Sequence, residues 1–236
     1  MTTSVEVLSI EKNYGRKEVL KNFSLTVEKG EVYVLLGKNG AGKSTLFKIL
    51  TGLSKATNGE IAILNESKDL EKVKTKIGSN INEPVFYEHL SADENLKIHC
   101  EYMGVSNNRI SDWLKMVGLT IDNDRPVKEY SLGMRQRLVL ARCLVHNPEL
   151  LIIDEPLNGL DPRGIKQFRE LIEEISLLGK TIIMSSHILT EVESVATRIG
   201  VIYDGQLVLN ERKQDLVAKY QDGLENFLIN KMEGVE

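Results

Sequence analysis

The first part of the chain alternates between apolar and polar positions. Residues 5–15 and 23–37 follow a period of two, interrupted at Gly15, which predicts extended strands joined by tight turns. The second segment runs into a glycine-rich loop, and residues 43–53 then take the spacing of a helix. A further short strand is predicted over 59–65.

The pattern changes to continuous helical spacing from Leu90 to Gly118. Two apolar-periodic segments lie here, and each ends near a glycine, as helices commonly do. Trp113 and Met116 belong to this stretch and are predicted to pack in a helical core rather than to form a ligand site. The chain therefore carries an all-helical insertion.

After this insertion, strands and helices alternate again. Residues 150–154, "LLIID", form a continuous apolar run, typical of a strand in a parallel sheet that is covered on both faces. The other predicted elements are a helix over 139–146 that stops at Asn147–Pro148, a helix over 165–179, a strand over 180–187, a helix over 188–200, a hairpin around Asp204–Gly205 and a charged, weakly helical tail from Glu211.

This order predicts an α/β fold: a parallel-sheet core, an N-terminal antiparallel β lobe and an inserted helical subdomain. We expect one domain over residues 1–215, with the helical subdomain at about 84–135, and a C-terminal tail over 216–236. The tail either packs on the core or mediates contacts between subunits.

Composition and charge are those of an ordinary globular protein. The 236 residues are 42% hydrophobic and 27% charged, and the net charge of −4 gives no general attraction to nucleic acid or anionic lipid. No apolar run approaches the roughly 20 residues that cross a bilayer, and the N-terminus does not have the pattern of a secretory signal. Cys100 and Cys143 lack metal or redox spacing. These features predict a cytoplasmic location and no nucleic-acid partner.

The segment "GKNGAGKST" fits the phosphate-binding pattern G-x-x-x-x-G-K-[ST]. Its glycines let several backbone N–H groups point at one anion, and the helix that follows adds its positive end. Lys43 is predicted to reach the terminal phosphates, the Ser44 hydroxyl to ligate Mg²⁺, and Thr45 to assist at a phosphate oxygen. The predicted ATP-binding residues of this loop are Gly37, Asn39, Gly40, Ala41, Gly42, Lys43, Ser44 and Thr45.

Two carboxylates follow the apolar strand "LLII". Asp154 is predicted to hold Mg²⁺ through water, and Glu155 to polarise the attacking water. Carboxylates at the end of so apolar a strand are costly unless an ion or partner is near. A structural role as a turn is the weaker interpretation.

A second candidate phosphate site lies at "YSLGMRQRL", where Ser131 and Gly133 begin a helical pattern. The alternative is a simple helix cap, which Ser131 alone would satisfy. Together, the phosphate loop, Ser-x-Gly-x-x-Gln-Arg, "LLIIDEP" and a lone His after a strand resemble the ATP-binding cassette of ABC transporters, a P-loop NTPase fold. The resemblance runs from about Val5 to about Asn210.

The resemblance implies that Ser131 and Gly133 cap the γ-phosphate bound to a second cassette, arranged head to tail. Here Tyr130, Leu132 and Met134 stand where Leu, Gly and Gln are commonest in the family, so the packing of this turn is expected to differ.

Four further positions match the family one at a time. Tyr14 resembles the aromatic residue that stacks on adenine, with a half-buried strand tyrosine as the alternative. Asp161 matches the residue that bridges the two subunits, and His187 matches the switch histidine at the γ-phosphate. The family's glutamine, which touches Mg²⁺ and faces the membrane partner, falls on Asn82, or on Glu83 if the register slips by one. His89, His99 and His146 match no family position and are interpreted as structural or solvated.

The segments "IG…EP.FY..L", "YSLGM.QRL" and "SSHIL.E.E" resemble the cassettes of lantibiotic-immunity and bacitracin-resistance exporters. The resemblance implies a peripheral ATPase at the cytoplasmic face of the membrane. It would use Mg²⁺ and ATP, pair with a second copy of itself, and energise ABC-2-type permease subunits. The alternatives are another ABC-2-type exporter, or a non-transport ABC ATPase acting on ribosomes or DNA. The transported substrate does not follow from the sequence.

Overall fold

The computed structural model describes residues 2–67, 70–81, 85–106, 108–119, 125–188, 193–220 and 223–235. Its strands are β1 (Thr3–Tyr14), β2 (Lys17–Glu28), β3 (Val32–Leu36), β4 (Asn58–Ile63), β5 (Ile77–Asn80), β6 (Leu150–Ile153), β7 (Thr181–Ser186), β8 (Arg198–Tyr203) and β9 (Gln206–Arg212). Its helices are α1 (Lys43–Leu50), α2 (Ala92–Met103), α3 (Ile110–Met116), α4 (Leu132–Leu144), α5 (Pro162–Leu177), α6 (Lys213–Lys219) and α7 (Leu224–Glu233).

The N-terminal strands form a three-stranded antiparallel sheet in the order β2-β1-β4. Apolar side chains point inward at alternate positions, for example Val5 and Val7 on β1 and Leu25 and Val27 on β2. Burial at every second residue from Phe23 to Val27 is what the period of two predicts for a sheet with one covered face, whereas β1 loses strict alternation where its pairing with β2 shifts register between Val7 and Ile10. The predicted antiparallel lobe is confirmed.

The core is a six-stranded sheet in the order β5-β6-β7-β3-β8-β9. All its neighbouring strands run parallel except the β8–β9 hairpin, which turns at Asp204–Gly205. Every residue of β3, β6 and β7 is buried. These strands are therefore covered on both faces, and the α/β class predicted from "LLIID" is confirmed.

Helices α2, α3 and α4 pack together beside this sheet. Ser91 and Glu94 form a capping box at the start of α2, and Gly104 ends the helix in the left-handed conformation. Trp113 is buried and Met116 packs against the same cluster, as the helical pattern predicts.

The C-terminal segment packs on the core, one of the two alternatives left open by the sequence. Leu216 on α6 and Leu228 on α7 are fully buried in the cluster that also contains Val201 of β8. Helix α7 lies directly against β8.

A helix is predicted over 188–200, but the described residues from 193 to 200 are not helical. Residues 189–192 lie outside the described residues, 193–197 form turns and bends, and Arg198 to Gly200 begin β8. These last residues pair with β3 on one side and β9 on the other. The sheet hydrogen bonds outweigh a weak local helical spacing here.

Candidate nucleotide-binding and catalytic site

The glycine-rich loop joins the end of β3 to the start of α1. Gly40 and Gly42 have φ values of 84° and 118°, in a backbone region that residues with a Cβ rarely adopt. A Cβ on Gly42 would also lie 2.9 Å from Leu20 Cδ2, so the loop needs glycine for packing against β2 as well. The loop backbone is thus curled as the sequence pattern predicts.

Most of the other predicted residues of this loop lie at or near the surface. Asn39 and Gly40 are exposed, and Ala41, Ser44 and Thr45 are partly exposed, whereas Gly37 is buried and donates its N–H to the carbonyl of Ser186 at 3.2 Å.

Lys43 is the one charged residue of the loop that is buried, with 5% of its side chain exposed. Its ammonium donates to the carbonyls of Gly37 and Lys38 and lies 3.0 Å from Glu155 Oε1. Glu155 Oε1 is buried and accepts no hydrogen bond from the described residues, so this contact is an ion pair without hydrogen-bond geometry. Removing the anionic partner of a cation as buried as Lys43 would leave its charge uncompensated, which is costly.

Asp154 and Glu155 directly follow β6, and both are held from the neighbouring strand β7 by one hydroxyl. Ser185 Oγ donates to Asp154 Oδ1 at 2.5 Å and accepts from the backbone N–H of Glu155 at 2.8 Å. Sequence reasoning missed Ser185. The available signal was the pair of serines that precedes His187 at the end of the strand predicted over 180–187.

Glu155 is in an unusual conformation and contacts His187. Its φ is 45°, a left-handed value that costs a residue with a Cβ about 1–3 kcal/mol and is typical of functional sites. His187 Nδ1 lies 2.9 Å from Glu155 Oε2, so the ring N–H donates to the carboxylate. The structure therefore joins Lys43, Glu155 and His187 in one chain of contacts.

Ser131, Gly133 and Asp161 lie together elsewhere, along a groove of about 740 Å³ between α3, α4 and α5. Ser131 caps α4 by accepting from Met134 N at 3.3 Å, and Asp161 caps α5 by accepting from Gly164 N at 2.9 Å. No residue of the glycine-rich loop lines this groove, and in the described part of the chain no hydrogen bond or ion pair links Ser131 to that loop.

Tyr14 is half-exposed at the end of the β1–β2 hairpin, opposite Lys17. The ammonium of Lys12 lies 4.7 Å from the centre of the tyrosine ring and is held there by the carbonyl of Lys55 at 2.7 Å. Leu20, three residues further along β2 than Lys17, packs beside Gly42 of the loop.

Asn82 and Glu83 lie outside the described residues, so the structure gives no account of the glutamine-like position. Of the three unmatched histidines, His89 is exposed, while His99 and His146 are partly buried with ring centroids 5.6 Å apart. Burial lowers the pKa of His99 to about 4, and it also lowers the pKa of His146.

The residues predicted to hold Mg²⁺ suit that ion chemically. Ser44 and Asp154 offer a hydroxyl and a carboxylate oxygen, the donors that Mg²⁺ prefers. No cluster of three or more His, Cys, Asp or Glu side chains that could hold a metal occurs within the described residues. A magnesium ion bound by one carboxylate, a hydroxyl, water and substrate phosphates needs no such cluster.

A buried strand, a glycine-rich loop, a helix and a second buried strand that ends in two carboxylates define a P-loop nucleotide-binding protein. A family model described as ABC transporter matches residues 20–158. The chain belongs to this family and is an ATP-hydrolysing cassette of a transporter. The resemblance inferred from the motifs is confirmed.

Several relatives match nearly the whole chain. The uncharacterized ABC transporter ATP-binding protein YcbN of Bacillus subtilis is 47% identical, covering 95% of this chain and 75% of that protein. The lantibiotic transport ATP-binding protein SrtF of Streptococcus pyogenes is 46% identical, covering 94% and 93%. The bacitracin transport ATP-binding protein BcrA of Bacillus licheniformis is 42% identical, covering 88% and 69%.

Solved structures agree with the fold. An ATP-binding subunit of an ABC transporter superposes with a TM-score of 0.84 at 28% identity, covering 98% of this chain and all of that one. The cassette MJ0796, solved as a dimer in a post-hydrolysis state with ADP and Pi, superposes with a TM-score of 0.80 at 27% identity, covering 89% and 98%. Within the residues described, no helix combines the length and apolar character that a membrane span requires.

Proposed function

We propose that this chain is the ATPase subunit of an exporter that moves a peptide antibiotic of the lantibiotic or bacitracin type. The similarity to SrtF and BcrA over most of the chain supports this substrate class. The membrane path belongs to separate ABC-2-type permease subunits, and the cassette binds them peripherally at the cytoplasmic face. Nucleic acid has no part in the proposed function.

The cassette works as a head-to-tail pair. The observation that carries this proposal is the separation of two phosphate-binding features within one chain: no residue of the loop around Lys43 lines the groove of Ser131, Gly133 and Asp161. A second copy can bring its own Ser131 turn to the first copy's loop. ATP would then lie between the two chains, stacked on Tyr14 and held by both subunits.

Within each composite site, the first chain binds the substrate. The backbone N–H groups of the glycine-rich loop and Lys43 hold the phosphates, and an incoming phosphate oxygen replaces Glu155 as the ionic partner of Lys43. Mg²⁺ would be held by Ser44 and Asp154, with Asn82 as a further proposed ligand, and when bound it would neutralise charge on the phosphates. The partner adds Ser131 and Gly133 at the γ-phosphate.

Hydrolysis requires water to attack the γ-phosphorus while the bond to the bridging oxygen breaks. Glu155, released from Lys43, orients that water and accepts its proton. His187 already donates to Glu155, so it fixes the carboxylate and senses the γ-phosphate. Most of the rate enhancement in such sites comes from positioning and electrostatic stabilisation.

The helical subdomain is the proposed contact to the permease. Its exposed side includes Tyr102 on α2, and the segment before it exposes Val85 and Tyr87. Large apolar side chains at the surface of a domain are a common feature of interaction sites. Closure and separation of the two cassettes would pull on this surface.

A mixing experiment tests the paired site. Lys43→Met and Ser131→Arg are each expected to abolish ATPase activity alone. Mixed in equal amounts they should recover about a quarter of the wild-type rate, because random pairing makes half of the dimers mixed and each mixed dimer contains one intact site. ATPase activity per chain should also fall on dilution. No recovery on mixing, or a rate independent of concentration, contradicts the composite site.

The permease proposal is tested separately by purification from membranes. Affinity-tagged chain should co-purify with a multi-span membrane protein in detergent and lose it after high salt with EDTA. Recovery of ribosomes or DNA instead would favour a non-transport ATPase.

A further inference from the structure

Two arginines on one side of α4 hold the segment 85–88. Arg135 and Arg142 are seven residues apart, about two helical turns, so they lie on the same face. Arg142 donates to the carbonyl of Val85 at 3.1 Å and stacks on the ring of Phe86, with 4.9 Å between the guanidinium carbon and the ring centroid. The segment is thereby fixed along the length of the helix.

The second contact is a bidentate ion pair between Arg135 and Glu88. One guanidinium nitrogen donates to Glu88 Oε1 at 2.7 Å and the other to Oε2. These hydrogen bonds lower the pKa of Glu88, so the carboxylate is charged at neutral pH. Arg135 lies near the N-terminus of α4, where a positive charge is unfavourable, and Glu88 offsets that charge.

The same segment is bound from two other directions. The buried amide of Asn95 on α2 accepts from Tyr87 N at 2.8 Å and donates to the Tyr87 carbonyl at 3.1 Å. Lys128 N donates to the carbonyl of Glu88 at 2.9 Å. Residues 85–88 are therefore attached to the helical subdomain, yet 85% of Val85 remains exposed.

We propose that Glu88 is a positioning residue for the ATP sandwich: through Arg135 it fixes the first turn of α4, which carries Ser131 and Gly133, to segment 85–88. Arg135 is one turn beyond Ser131 and donates its backbone N–H to the Ser131 carbonyl at 2.9 Å. A displacement of the exposed segment by an apolar partner is then passed to the turn that faces the second nucleotide. This inference rests on the proposed head-to-tail pairing.

The test measures ATP-driven dimerisation of the purified chain. In a Glu155→Gln parent, which should hold ATP without hydrolysing it, Glu88→Gln is expected to weaken dimerisation with Mg·ATP about three- to tenfold. Fluorescent ATP binding by dilute monomer should be unchanged, because the glycine-rich loop is untouched. Arg135→Gln should behave like Glu88→Gln, and the double variant should be no weaker than either single variant.

The matched control is Glu129→Gln, which breaks another exposed ion pair of the same subdomain, with Arg125 at 3.4 Å, and should leave dimerisation unchanged. Dimerisation of Glu88→Gln equal to that of the parent, or additive losses in the double variant, overturns the positioning role alone. If the parent itself stays monomeric with ATP, both this inference and the head-to-tail pairing are wrong.

Discussion

At the scale of single residues, one serine hydroxyl organises both acidic side chains of the site. Ser185 is completely buried, and its hydroxyl hydrogen-bonds Asp154 and the backbone of Glu155 at once. Because Glu155 has a strained φ, its backbone hydrogen bond helps to keep the carboxylate facing Lys43. The adjacent Ser186 hydroxyl instead bonds the backbone of Ile188.

We therefore expect Ser185→Ala to lower kcat for ATP hydrolysis by about 10- to 100-fold, the range for losing a hydrogen bond to a charged group. The KM for ATP should change little, since Lys43 and the glycine-rich loop are intact. Steady-state kinetics against ATP concentration separate the two effects. Ser186→Ala is the matched control and should keep a near wild-type kcat; equal losses in both variants contradict the assignment.

Some residues of the site can be predicted from the sequence, and Ser185 cannot. The patterns around Lys43 and Glu155 are each specific, and the structure brings these side chains to 3.0 Å. Ser185 has no motif of its own, because its role depends on β6 and β7 being neighbours, and sheet order is not a local property. Such supporting residues become visible only when the strands are paired.

At the scale of elements, the C-terminal helix α7 is part of the folded core. It is amphipathic, with Leu228 fully buried and Ile229 41% exposed, although the two residues are adjacent. The charged sequence of the tail did not decide between packing on the core and contacts between subunits. The apolar face that includes Leu228 is the physical reason why α7 packs on the core.

Leu228→Ala should lower the free energy of unfolding by about 2–5 kcal/mol, the usual cost of truncating a leucine in a packed core. Ile229→Ala removes a similar side chain from the partly solvated face and should cost under about 1 kcal/mol. Urea denaturation followed by circular dichroism measures both. Similar small losses would mean that α7 is not stably docked.

Elements whose sequence has a strong apolar pattern can be predicted from the sequence, whereas elements without such a pattern cannot. The alternation in β1 and the apolar run in β6 each have a single physical interpretation. β5, with the sequence Ile-Gly-Ser-Asn, has no such pattern. It is specified by packing: a Cβ on Gly78 would lie 2.0 Å from the carbonyl of Cys143 on α4, so only glycine lets the strand and helix approach this closely.

At the scale of the whole molecule, a small cleft separates the helical subdomain from the sheet. It has a volume of about 150 Å³, and it is lined by His99 of α2, by Arg142 near the end of α4, by His146 in the turn that follows, and by Glu71 and Lys74. His99 Nε2 and His146 Nδ1 are buried without a hydrogen-bond partner among the described residues. Charging either ring would place a cation in a partly dry site that already holds Arg142.

This cleft makes the stability of the whole chain depend on pH. The pKa of His99 is lowered from 6.5 to about 4, mainly by burial and then by His146 and Arg142. Between these values the unfolded chain binds more protons than the folded chain, so the stabilising contribution is complete above about pH 6.5 and is lost as the pH falls towards 4. His146 acts in the same direction.

His99→Gln should therefore flatten the acid side of the stability profile. We expect the free energy of unfolding of the wild-type protein to fall by about 1–2 kcal/mol more than that of the variant between pH 7 and pH 4.5. This is less than the full pKa shift implies, because the ring is partly open to solvent.

Urea unfolding at a series of pH values measures this difference. His89→Gln is the matched control, since His89 is exposed, and its profile should follow the wild type. If His99→Gln and His89→Gln have the same pH dependence, the cleft does not control acid stability. The loss should be greatest in the amides of α2 and of the C-terminal end of α4 by hydrogen exchange, because His99 lies on α2, His146 lies in the turn that follows α4, and the two rings repel each other once protonated.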